Sequence, residues 1–146
     1  MEQTWSVKME AIKLLKTQFL PRELEQGVLY VSEEYGIAGH LCPCGCGNKI
    51  MTPLEPTEWS FKDDVKGPTL YPSIGNWQLP CKSHYWITNG KIEWSYQWSE
   101  EEIQEGRKAE ERKRKDYYES LEERQRNQSI YRRIINWIKK IINRTK

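Results

Sequence analysis

Residues 40–47 read HLCPCGCG and residues 81–94 read CKSHYWITNGKIEW. The fold turns on how these two stretches are used. Three cysteines and a histidine fall within residues 40–46. Cysteines two apart do not easily meet disulfide geometry, so a bound metal accounts better for so much sulfur. Gly45 and Gly47 let backbone amides approach the sulfurs. Cys81 and His84, separated by two residues, form a second chelating half-site of a familiar kind. The two halves lie far apart in sequence, so one ion would pin two hairpins of a small domain, as structural zinc does. Cys81 and His84 are the expected second half, completed by two of Cys42, Cys44 and Cys46, and the spacing admits any pair of the three. His40 is expected to pack or support the site rather than to bind.

Working outward, GVLYVSEEYGIAGHLC (27–42) is two apolar runs around an acidic turn, a predicted hairpin that delivers His40 and Cys42 at its end. KIMTPLEP and TEWSFK read as extended segments with proline breaks, and TLYPSIGNW as a strand followed by a turn. In HYWITNGKIEW the Asn89-Gly90 pair suits a tight primed turn, which predicts a second hairpin. Nearer the start, Trp5, Val7, Met9 and Ala11 alternate with polar residues and favour a strand. Ile12, Leu15 and Phe19 would also suit a helix, and Pro21 ends either element. Aromatic residues are expected to supply the core. The expected class is α+β: a small β-rich zinc-bound domain over 1–98, of zinc-ribbon or Rieske-like hairpins, then a charged helical arm over 99–146.

The composition changes at that boundary. Six of the seven tryptophans, all four cysteines and both histidines precede residue 99. The first part carries a formal charge of −2 and the second +4. Residues 99–128 contain no proline and are rich in helix formers, and Ser99 ahead of Glu100, Glu101 and Glu102 is a sound helix start. Apolar positions there are too sparse for a buried face. The end differs again: from 125 to 146 there are seven basic residues and no acid. Ile130, Ile134, Trp137, Ile138, Ile141 and Ile142 share one helical face, so 129–143 is expected to associate with a protein partner, a second copy or a membrane surface.

No basic stretch followed by an apolar run marks a signal peptide, and no apolar run is long enough to cross a bilayer, so a cytoplasmic location with reduced thiols is expected. A thiolate-rich zinc site is closed, which weakens the metal as a Lewis acid. Glu33, Glu34, Glu55 and Glu58 show no metalloprotease or deaminase spacing. Ser73 and Ser83 read as turn serines, and no phosphate-binding glycine loop is present. Catalysis by this chain alone is therefore not expected, and no catalytic residue is assigned. The leading expectation is a zinc-stabilised interaction or adaptor module with a protein partner. Nucleic-acid binding through the basic end and iron-based electron transfer are the alternatives.

Two resemblances bear on this. CKSHYWI resembles the second ligand box of Rieske proteins, but CPCG has Cys44 where that family has histidine. That implies a similar fold around zinc, with an iron–sulfur cluster as the alternative cofactor. The combination LYVSEEYGIAGHLCPCGCGNKIMTPLEPTEW, TLYPSIGNW and CKSHYWITNGKIEW resembles a family of small bacterial and phage proteins over about residues 20–98. Some of its members are encoded beside genes for ubiquitin-like modifiers and their conjugating enzymes. The resemblance implies zinc binding through Cys42, Cys44, Cys46, Cys81 and His84. It further implies a ligase-like accessory role in a ubiquitin-like conjugation or phage-defence setting.

Overall fold

The structure is a computed structural model that describes residues 8–144. The alternation through Trp5 and Val7 lies outside the described residues. Among the described residues, eight strands form two four-stranded sheets, followed by one long helix, an α+β architecture. The first sheet has the order β1 (Lys13–Lys16), β2 (Val28–Ser32), β3 (Ile37–Leu41), β4 (Lys49–Pro53), with β1 parallel to β2 and the rest antiparallel. The second is an antiparallel meander of β5 (Ser60–Asp64), β6 (Gly67–Gly75), β7 (His84–Thr88) and β8 (Lys91–Trp94).

Local chemistry accounts for the turns. The β2–β3 hairpin closes through Ser32, whose Oγ accepts from the Tyr35 amide at 3.3 Å and donates to the Gln18 carbonyl at 2.6 Å. The β7–β8 hairpin turns at Asn89 (φ 52°) and Gly90 (φ 75°), two successive left-handed residues as a primed turn requires. The segment after Ile12 is strand rather than helix. Ile12 is buried, whereas Leu15 and Phe19 are 48% and 62% exposed, so the three do not share one buried face.

Both sheets contribute to one core: Leu29 and Val31 from β2, Ala38 from β3, Ile50 from β4, Leu70 and Ile74 from β6, and Tyr85 and Ile87 from β7. This core is chiefly aliphatic, and the expected aromatic share is carried by Tyr85, its largest fully buried side chain, with Phe61 packed against the cluster. Trp59 and Trp94 pack against this core from its margin. On β7 the pleat divides the roles. Tyr85 and Ile87 point into the core, and His84 and Trp86 point to the opposite face.

The helix α1 (Glu100–Arg144) opens with a capping box. The Glu102 amide donates to Ser99 Oγ at 3.2 Å, and the Ser99 amide donates to Glu102 Oε2 at 2.8 Å. The chain divides into two compact units after Ile103, which is itself buried. The second unit is the remainder of the helix, and almost all of its described side chains are exposed or half-buried. No described helix is long and apolar enough to cross a membrane.

Candidate functional site

The cysteine loop is the turn joining β3 to β4. The Cys42 amide donates to the Asn48 carbonyl at 2.8 Å, and the Gly45 amide donates back to the Cys42 carbonyl at 3.0 Å. Gly45 (φ 83°) and Gly47 (φ 77°) adopt left-handed conformations that let the chain coil tightly enough to aim alternate side chains inward. Cys81 comes from the other sheet, in the turn between β6 and β7, where the Leu79 amide donates to the Asn76 carbonyl and the Lys82 amide to the Leu79 carbonyl, both at 3.0 Å.

The four sulfurs of Cys42, Cys44, Cys46 and Cys81 all lie within 4.8 Å of one another. Cys42 and Cys44 are 3.3 Å apart, and Cys46 and Cys81 are 3.8 Å apart. Tetrahedral thiolates on a bond of ~2.3 Å sit about 3.8 Å from each other, so the group fits one metal ion. Ser83 Oγ lies 3.2 Å from Cys42 Sγ, and Asn48 Nδ2 donates to Cys46 Sγ at 3.1 Å. Burial pushes the Cys42 and Cys44 thiols upward. Burial opposes ionisation of Cys46 too, but hydrogen bonds from Asn48 and the neighbouring cysteines outweigh it and bring that thiol down to about 7. A bound cation would deprotonate all four.

His84 stands outside this group. The pleat that begins at His84 turns its ring to the face opposite Tyr85, and its Nε2 lies 2.9 Å from Ser73 Oγ. Thus all three clustered cysteines join Cys81, where the sequence suggested two of them with His84. His40 is also outside the group. It is fully buried on β3, with Nε2 2.7 Å from the Tyr85 hydroxyl across the two sheets, and burial holds it down to about 4.

Ser73 is not a turn residue. It lies within β6, where Gly75 pairs with His84 and Ile74 with Tyr85, so Ser73 is the diagonal neighbour of His84 on one face of the sheet. Three tryptophan rings surround the imidazole: Trp98 at 4.6 Å, Trp77 at 4.9 Å and Trp86 at 5.1 Å between centroids. Burial lowers the His84 pKa below 6.5. Its Nδ1 is buried without a hydrogen-bond partner among the described residues. The sequence did carry a signal for this pair. Leu70 and Ile74 mark the core face of β6, which leaves Ser73 on the face that the Asn89-Gly90 hairpin gives to His84.

The two features meet in one short connection. Asn76 and Ser83 close the β6–β7 loop, with the Asn76 amide donating to the Ser83 carbonyl and Asn76 Nδ2 donating to Ser83 Oγ, both at 2.8 Å. Cys81 lies inside that loop, and Ser73 and His84 stand just outside its two ends. Gly75 is needed here for space: a Cβ on it would come within 2.5 Å of Trp77 Nε1. Gly75→Ala should therefore push Trp77 off His84. We expect a shifted tryptophan emission spectrum and, for any reaction using the Ser73–His84 pair, a loss of about 10–100-fold, as misplacement by about an ångström produces.

The family model described as "Bacterial ubiquitination-like system serine protease (BubE)" matches residues 16–95, more than half of the chain. No curated protein and no solved structure matches it.

Proposed function

The chain belongs to the BubE family and so to a bacterial ubiquitination-like system, and from that premise we propose that it is a serine peptidase with Ser73 as nucleophile and His84 as general base. The observation that carries this reading is the 2.9 Å contact between Ser73 Oγ and His84 Nε2, within the reach a nucleophile and its base require. With the imidazole proton on Nδ1, Nε2 accepts the Ser73 hydroxyl proton as Oγ attacks a substrate carbonyl. The imidazolium then returns that proton to the leaving amine. A water deprotonated by Nε2 hydrolyses the acyl-Ser73 ester and regenerates both groups.

Among the described residues no carboxylate accepts from Nδ1, so the charge that develops on the ring has to be stabilised otherwise. Trp98 and Trp77 meet the imidazole at interplanar angles of 83° and 63°, and aromatic faces stabilise a nearby cation. Burial keeps the resting imidazole neutral, as a base must be. Acid protonates His84 and removes the base, so activity should fall as pH drops through a midpoint below 6.5 and stay level above it. A kcat/KM profile with its acid limb centred at or above pH 7 would count against His84 as the base.

The cysteine group suits zinc, the usual metal for a four-thiolate shell, and the residues holding it would be Cys42, Cys44, Cys46 and Cys81. Such a shell is closed, so a metal held there would be structural: Cys42, Cys44 and Cys46 on the β3–β4 loop and Cys81 on the β6–β7 loop would be fastened together, steadying the strand ends that bear Ser73 and His84. The substrate class is a ubiquitin-like modifier with a C-terminal extension or an attached protein. A reporter fused behind the modifier of the same system should be released by the wild-type protein and not by His84→Ala. Absence of release by the wild-type protein would return the chain to a non-catalytic adaptor role.

A further inference from the structure

The second unit carries an apolar face that nothing in the dyad or the cysteine group uses. Ile130, Ile134, Trp137, Ile138, Ile141 and Ile142 are between 42% and 64% exposed. At 3.6 residues per turn they fall in an arc of about 140°. Arg132, Arg133, Lys139, Lys140 and Arg144 occupy the remaining arc. We propose that residues 129–144 lie in the surface of an anionic phospholipid bilayer, with the isoleucines and Trp137 sunk among the acyl chains and the basic residues against the headgroups.

Charge decides the occupant. From 125 to 146 there are seven basic residues and no acid. A second copy laid on this face in parallel would bring two sets of unneutralised cations together, which is unfavourable. An anionic surface compensates every one of them at once and covers the apolar arc in the same step. Trp137 suits the boundary between headgroups and hydrocarbon, where indole is enriched. The segment is too polar to span, in keeping with a helix that lies flat. Attachment of this kind would bring the protein to substrates at a membrane. It stands independently of the peptidase reading.

The full-length protein should co-sediment with vesicles containing phosphatidylglycerol and not with pure phosphatidylcholine. Ile138→Glu should lower the partition coefficient at least about tenfold by placing an acid in the apolar arc. The double change Lys139→Glu and Lys140→Glu should do likewise by removing headgroup attraction. Raising the salt concentration should weaken wild-type binding. Equal partitioning of wild type and Ile138→Glu would overturn the proposal. So would failure to bind anionic vesicles, including failure accompanied by concentration-dependent self-association or by retention on nucleic acid.

Discussion

Ser73→Ala should lower the rate of modifier cleavage by about 10³-fold or more, the scale on which loss of a serine nucleophile is felt. The melting temperature and metal content should not change. The side chain is half-buried and hydrogen-bonded to His84, so its removal leaves the core of Leu70, Ile74, Tyr85 and Ile87 intact. His84→Ala should reproduce the loss. Because His84 lies outside the cysteine group, it should also leave the metal in place. That last result separates the proposed general base from the metal ligand that the Cys81–His84 spacing suggests. A variant that lost stoichiometric metal together with activity would restore it as a ligand.

The second large effect is expected from Cys81→Ser. Cys81 is the single cysteine that the β6–β7 loop supplies, so its loss breaks the link between the two loops. Structural zinc contributes an apparent ~10–16 kcal/mol in small domains, comparable with or larger than the ~5–15 kcal/mol that holds a typical domain folded. We expect one zinc per chain to be lost and the cooperative melting transition of the β-rich unit to collapse. Activity should go with it, since Ser73 and His84 flank the same loop. Retention of stoichiometric zinc and an unchanged melting temperature would show that the group is not a metal site.

Much of the fold could be read from local pattern. The Asn89-Gly90 turn and the acidic turn at 33–36 announced two hairpins because each has a backbone requirement that few residues meet. The start of the long helix was legible in Ser99 and Glu102, which cap it reciprocally. The gathering of the cysteines was legible for a similar reason, since alternate positions in a glycine-rich turn converge whatever surrounds them. Not so the direction of His84. A spacing of two residues from Cys81 suggests a shared ion, but the strand begins at His84 and its pleat sends the ring elsewhere. Which face a strand's first residue takes is fixed by Tyr85, whose burial against His40 depends on a partner strand distant in sequence. The placement of the tryptophans depends on the same long-range pairing. Their number suggested a core, whereas three of them enclose one histidine, a clustering visible only once β6, β7 and the segment at Trp98 are together.

The proposed nucleophile is Ser73, activated by His84. A fluorophosphonate reacts rapidly with a serine so activated, and peptide mapping by mass spectrometry then reports which residue carries it. A single adduct at Ser73 is expected in the wild-type protein and none in His84→Ala. Labelling at another serine, or labelling of Ser73 that persists at full rate without His84, would contradict this assignment.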